Sequence, residues 1–185
     1  MTKAVFLDRD GTINKEVDVL RHIRQLSILP GAGRAIAKLN QLDFLVIVVS
    51  NQAVVARGWL TEKGVENINT VLHARLKKFG ASIDAFYFCP HHPNADVKTY
   101  RKLCKCRKPN TGMFKKAQKK FGIDMKKSFM VGDNTKDILA GRRAGLTTIL
   151  VRTGYGGKDG THVVTPDFIV KNLSEAVMII ARHAK

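Results

Sequence analysis

Long hydrophobic runs are missing from this sequence. No apolar stretch reaches the roughly 18 residues that a bilayer-crossing helix requires, so a membrane-spanning protein is not expected. Nor is there room for a leader segment, because the chain enters an apolar run at Ala4; the expectation is a cytoplasmic protein. Internal repeats and interdomain linkers are absent, and 185 residues that are 44% hydrophobic suit one good-sized core, so residues 1–185 are expected to form a single domain. Acidic residues are few, 15 against 32 lysines and arginines, which leaves a net charge of +17 and an anionic partner as the expectation. Charge alone does not separate nucleic acid from a small phosphorylated substrate. Part of it has a plain structural explanation, because Lys115, Lys116, Lys119 and Lys120 fall on one helical face opposite Phe114, Ala117 and Phe121. Cysteines number only three, and all lie between residues 89 and 106.

What is present begins almost at the first residue. The apolar run 4–7 breaks into Asp8-Arg9-Asp10-Gly11-Thr12. A short apolar run closed by a turn signal reads as a buried strand. Asp8 and Asp10 then sit at its carboxyl end, where open α/β sheets place their ligands. Two carboxylates that close repel each other unless they share a cation, and a divalent metal is the usual one. A carboxylate can also attack phosphorus and form an aspartyl-phosphate. A strand ending in a polar turn is the plain alternative, and the rest of the chain decides between them.

An irregular polar stretch runs to residue 29, followed by a short amphipathic helix over 34–41. The β-branched run 44–49 reads as a central parallel strand that ends in Ser50-Asn51-Gln52. Thr61 is placed to cap a helix running to about 78. A third strand over 85–88 leads into a loop over 89–110 and a helix over 113–121. A fourth strand, 129–131, ends in Gly132-Asp133-Asn134 and is followed by a helix to about 144. A fifth strand covers 147–151, the glycine-rich loop 153–160 is expected to be mobile, and a last strand covers 168–170. Asn172 and Glu175 make a capping-box-like start to the final helix. Strands alternating with helices predict an α/β, Rossmann-like parallel sheet with helices on both faces. The short connection between Gly11 and Pro30 leaves no room for a large cap domain.

Four strand ends thus carry polar groups on one edge of the predicted sheet: Asp8 and Asp10, Ser50 and Asn51, Arg107 and Lys108 after the third strand's loop, and Asp133 with Asp137. Together they are a phosphoryl-transfer kit, with an anionic nucleophile, carboxylates for Mg²⁺, hydroxyl and amide donors, and two cations for developing charge. A second constellation is Cys89-x-His91, twelve residues, then Cys104-x-Cys106. A disulfide is not expected in a cytoplasmic protein. Three thiolates and one imidazole suit tetrahedral zinc and leave no open position, so this zinc is read as a structural staple of the loop 89–106. His92 is expected to face away from that metal.

Phe6 to Asn14, Ser50-Asn51-Gln52, Arg107-Lys108-Pro109 and Gly132-Asp133 with Asp137 resemble the four motifs of the haloacid dehalogenase superfamily of phosphatases. Cys89-Pro90-His91-His92-Pro93, Cys104-x-Cys106-Arg107-Lys108-Pro109 and Ala56-Arg57-Gly58 are similar to its heptose 1,7-bisphosphate phosphatase branch, and the likeness covers essentially the whole chain. The resemblance implies that Asp8 is the nucleophile and Asp10 the acid and base. It implies Mg²⁺ held by Asp8, the Asp10 carbonyl and Asp133. Ser50 and Asn51 would hold the phosphoryl group, Lys108 would neutralise it and Asp8, and Arg107 with Lys108 would help select the substrate. The implied reaction is removal of the C7 phosphate by a monomer, leaving heptose 1-phosphate for nucleotide-activated heptose synthesis in lipopolysaccharide or glycan.

Three positions depart from that branch. Ala53-Val54-Val55 stands where Ser-Gly-Ile is usual, residues 16–29 lack a Gly-Tyr-Val segment, and Asn134 stands where lysine is frequent. Histidinol-phosphate phosphatase shares the zinc loop, usually with a much shorter gap than the twelve residues found here. A nucleic-acid 3′-phosphatase would suit the charge, but the related DNA enzymes lack the zinc loop, so a nucleic-acid partner is not expected. A non-catalytic zinc module would leave Asp8, Asp10, Lys108 and Asp133 without a purpose.

Overall fold

Successive residues of the first strand point to opposite faces, and all four are apolar, which only a sheet covered on both sides can bury. The computed structural model describes residues 2–183 and contains that sheet. The strands β1 (Ala4–Leu7), β2 (Leu45–Asn51), β3 (Ala85–Cys89), β4 (Phe129–Gly132), β5 (Thr147–Val151) and β6 (Phe168–Val170) pair in the order β3-β2-β1-β4-β5-β6, all parallel. The helices are α1 (Ala32–Gln41), α2 (Ala53–Ala56), α3 (Glu62–Lys77), α4 (Gly112–Phe121), α5 (Thr135–Arg143) and α6 (Leu173–His183). α1, α3 and α6 bury Ile36, Leu72 and Val177 with Val5, Leu7, Val46 and Val131. α4 and α5 bury Phe114 and Ala140 on the other face, with Phe6, Ile47, Val49 and Met130. Fully buried side chains such as Leu72 and Phe114 contribute roughly 1.5–3 kcal/mol each.

β1 lies between β2 and β4, where the direction of strand addition reverses, so the residues following β1 open into the crevice at the switch point. The chain between β1 and α1 holds short bridges at Asp10–Asn14 and Asn14–Ile28 and one 3₁₀ turn, with no inserted domain. Thr61 caps α3 as expected, its hydroxyl accepting from Gly64 N at 3.0 Å. β2 runs further than expected and includes Ser50 and Asn51, because its pairing with β3 continues to Asn51–Cys89. Ala53-Val54-Val55 forms the short α2, an element not expected from the sequence. No helix among the described residues is long and apolar enough to cross a membrane.

Candidate active site

Asp8 leaves β1 still paired to its neighbour, its N–H donating to Val131 O at 3.0 Å. Lys108 comes to it from the end of the zinc loop. Its buried ammonium lies 2.7 Å from Asp8 Oδ1 and 2.7 Å from Asp137 Oδ1, and donates to Val49 O at 2.6 Å. Burial works to lower the Lys108 pKa, but Asp137 and Asp8 outweigh it and raise it, so the lysine stays charged. Asp137, in the first turn of α5, also accepts from Asn134 N at 3.2 Å. The sequence left its role open; in the structure it anchors Lys108.

Asn51 stands beside this lysine, but its side chain is engaged with the Lys108 backbone. That amide sets Lys108, and Asn51 itself lines the active-site cavity together with Ser50, the two residues expected to hold the phosphoryl group. Ser50 is buried, and its hydroxyl accepts from Gln52 Nε2 at 2.8 Å.

Asp10 is cradled by groups that sequence reasoning missed. Its Oδ1 accepts from Arg9 Nε at 3.2 Å and Asn14 Nδ2 at 2.8 Å. Its Oδ2 accepts from an Arg9 terminal nitrogen at 2.8 Å and Gln52 Nε2 at 2.9 Å. Burial pushes the Asp10 carboxyl up, but Arg9 and these donors outweigh it and hold it below the ordinary value. Arg9 is only 1% exposed and is itself fixed by Asn69 and Gln52. The one available signal was an arginine inside a buried motif and an asparagine on the buried face of α3.

Asp133 ends β4, and the loop 153–160 wraps around it. Tyr155 N donates to Asp133 Oδ2 at 2.8 Å and Gly157 N to its carbonyl at 2.7 Å. Thr153 Oγ1 donates to Gly11 O at 2.6 Å, which ties the loop to the turn after Asp10. Further along, Asp159 accepts from Thr135 N at 2.8 Å and Thr135 Oγ1 at 2.6 Å at the start of α5. The loop expected to be mobile is held at both ends. Gly11 and Gly154 are required here: both have positive φ, and a Cβ on either would fall within 2.2 Å of Asp133 Oδ2.

The donor set suits a divalent cation. Carboxylate oxygens of Asp8, Asp133 and Asp137 lie within 4.8 Å of one another. Burial, then repulsion from Asp137 and Asp10, pushes Asp8 up to about 7 despite Lys108. Burial, then Asp8 and Asp137, pushes Asp133 up to about 8. Asp137 is already committed to Lys108, so Asp8 and Asp133 are the pair that gains most from an added positive charge.

The cysteine constellation also closes. Cys89, Cys104 and Cys106 place their sulfurs 2.9–3.3 Å apart, far beyond the about 2.05 Å of a disulfide. His91 Nδ1 stands 3.5 Å from Cys106 Sγ and 3.8 Å from Cys89 Sγ. Four N and S donors converging this way suit a tetrahedral metal with bonds of about 2.0–2.3 Å. His92 lies outside the group, its Nδ1 accepting from Asn94 N at 3.1 Å. Arg107 directly follows the last cysteine, and its guanidinium donates to His91 O at 3.1 Å. It does not line the active-site cavity, a space of about 280 Å³ over Asp8 and Asp10. Arg57, Trp59, Lys136 and Tyr155 do line it, along with Glu16 and Asp18 from the stretch that lacks a family counterpart.

Residues 105–176 match the HAD-hydrolase-like family. The D-glycero-beta-D-manno-heptose-1,7-bisphosphate 7-phosphatase of Haemophilus ducreyi is 40% identical over 154 residues, 82% of this chain and 84% of that protein. The corresponding alpha-heptose enzyme of Photorhabdus laumondii is 40% identical over 160 residues, 86% and 87% of the two chains. The beta-heptose enzyme of Escherichia coli K12 is 35% identical over 189 aligned positions, covering 98% of this chain and 95% of its own. Among solved structures, the D,D-heptose 1,7-bisphosphate phosphatase from B. bronchiseptica, complexed with magnesium and phosphate, superposes with a TM-score of 0.87 at 30% identity, covering 98% and 99% of the two chains.

Proposed function

The chain belongs to the heptose 1,7-bisphosphate 7-phosphatases of the haloacid dehalogenase-like hydrolases, and from that membership we propose that it removes the C7 phosphate of D-glycero-D-manno-heptose 1,7-bisphosphate. It is a phosphoric monoester hydrolase, and its product would be heptose 1-phosphate, for use in nucleotide-activated heptose synthesis. The observation that carries the reading is Asp8 held at 2.7 Å by a lysine that Asp137 anchors at the same distance, at the sheet's switch point.

Asp8 attacks phosphorus, and the bond from phosphorus to the C7 oxygen breaks as the phosphoryl group moves to the Asp8 carboxylate. Asp10 in its less favoured protonated form gives its proton to the departing alcohol oxygen, and the step leaves it as the carboxylate its donors favour. Water then attacks the phosphorus of the aspartyl-phosphate, Asp10 takes its proton, and phosphate leaves with Asp8 restored. The four donors around Asp10 favour its carboxylate, the form that accepts that proton. Lys108 stays charged throughout and offsets charge on Asp8 and on the phosphoryl oxygens. Asp8, the Asp10 carbonyl and Asp133 would hold Mg²⁺, which when bound supplies positive charge at the transferring phosphoryl group. Cys89, His91, Cys104 and Cys106 would hold zinc as a staple, keeping Arg107 and Lys108 in register. Arg107 follows the last cysteine directly and is held by His91 O at 3.1 Å, and with Lys108 it would help select the substrate from the zinc-loop side. Thiolate ligands stay reduced in the cytoplasm, which supports placing the enzyme there.

The test is phosphate release with Mg²⁺ from both heptose 1,7-bisphosphate anomers, histidinol phosphate and a 3′-phosphorylated oligonucleotide. The expected result is a heptose bisphosphate turned over with the highest kcat/KM, phosphorus NMR showing loss from C7. Preference for histidinol phosphate or the oligonucleotide would overturn the reading.

A further inference from the structure

Five carboxylates face the active-site cavity, those of Asp8, Asp10, Glu16, Asp18 and Asp133, and two cations share its wall, Arg57 and Lys136. Lys108 is buried against Asp8 and is fully engaged there. A substrate that carries a second phosphate therefore brings it to a wall rich in carboxylates, where Arg57 and Lys136 are the lining groups of opposite charge. Arg57 comes from the β2 side and is partly engaged by Asp96 at 3.5 Å. Lys136 comes from the β4 side, across β1 from Arg57, in the first turn of α5. Among the described residues it forms no ion pair, and its charge acts on Glu16 at the cavity.

The backbone that carries Lys136 is fixed on both sides. Thr135 is bonded through its N–H and its hydroxyl to Asp159. Asp137 is held by Lys108 and by Asn134 N. Lys136 thus has a free ammonium on a rigid base, at a helix start whose own dipole favours anions.

We propose that Lys136 is a specificity-determining residue whose ammonium, across the cavity from Arg57, takes the second phosphate of the bisphosphate while Lys108 serves the phosphate that leaves. The proposal rests on the substrate class given above. Holding the distal end orients the reacting ester against Asp8, so the contact improves turnover of the bisphosphate and not of a simple phosphate ester.

The experiment measures kcat/KM for wild type, Lys136→Met and Lys136→Arg on heptose 1,7-bisphosphate and on heptose 7-phosphate, which lacks the second phosphate. Lys136→Met should lower the bisphosphate kcat/KM roughly tenfold to a hundredfold, the range for losing a charge-assisted contact, with kcat falling as the reacting ester loses its orientation. On heptose 7-phosphate it should change kcat/KM by less than about twofold, since no transition-state contact is removed there. Lys136→Arg should keep most of the bisphosphate preference. Equal losses on both substrates, or none on the bisphosphate, would overturn the role of Lys136 and leave the heptose reading standing. A wild type that cleaves p-nitrophenyl phosphate but neither heptose ester would instead overturn the substrate reading, and the proposal with it.

Discussion

Asn51 and Lys108 are joined twice: the Asn51 Oδ1 accepts from Lys108 N at 2.9 Å, and its Nδ2 donates to Lys108 O at 3.0 Å. One side chain at the end of β2 thereby satisfies both main-chain groups of the lysine that reaches Asp8. Asn51→Ala leaves those groups without a partner, a loss of roughly 1–3 kcal/mol. Calorimetry should show a lower Tm, and kcat should fall about a hundredfold as the ammonium loses its placement. An unchanged kcat would mean that Lys108 is held well enough by Asp137 and Val49 alone.

Asp8→Asn keeps the shape of the side chain and removes the attacking oxygen. Turnover should drop by about three orders of magnitude or more, as for other lost nucleophiles, while circular dichroism stays unchanged. A folded, Mg²⁺-saturated variant with a tenth of wild-type activity would assign the nucleophile elsewhere.

The two metal sites should separate by chelation. Zinc should copurify at about one equivalent and survive mild chelation, since a closed four-ligand site exposes no open position. Mg²⁺ should exchange freely and be required for turnover. Cys106→Ser should lower Tm and loosen Arg107, which leaves that ligand directly for its bond to His91 O. Metal analysis that finds no zinc, with freely titrating thiols, would refute the staple.

The Asp159 latch carries a pH dependence of known sign. Burial pushes its carboxyl up, but the bonds from Thr135 and Thr161 outweigh it and hold it below the ordinary 3.8. A carboxyl whose folded value is depressed contributes stability above the unfolded value of about 3.9, lost as pH falls through the folded value. Neutral pH should leave the latch closed. Amide exchange at Tyr155 and Gly157, corrected for intrinsic rates, should quicken below about pH 4. Asp159→Asn should produce the same change at pH 7, and equal exchange in variant and wild type would count against the latch.

Gly154→Ala tests the wrapping of Asp133. A methyl group there would stand 2.1 Å from Asp133 Oδ2 on a backbone with φ of +59°, so the carboxylate must move. The apparent Mg²⁺ requirement, read from activity against Mg²⁺ concentration, should rise by about tenfold or more. Unchanged Mg²⁺ dependence would show that the loop can yield without disturbing Asp133.

What the sequence alone determined is local. Four apolar residues running into Asp8 and Asp10, the β-branched run before Ser50, and Gly132-Asp133 after a short strand each mark a strand and its polar end within a few residues. Cysteine spacing likewise marks the metal loop. The relationships that make these groups a site belong to the tertiary structure, because they join residues far apart along the chain. Arg9 meets Asn69 across 60 positions, Asn51 meets Lys108 across 57, and Thr153 meets Gly11 across 142. No periodicity encodes such pairs. They follow from the strand order and the register of β1 against β2 and β4, which bring separate strand ends to one edge and let a loop written as glycine-rich and loose close around a buried aspartate.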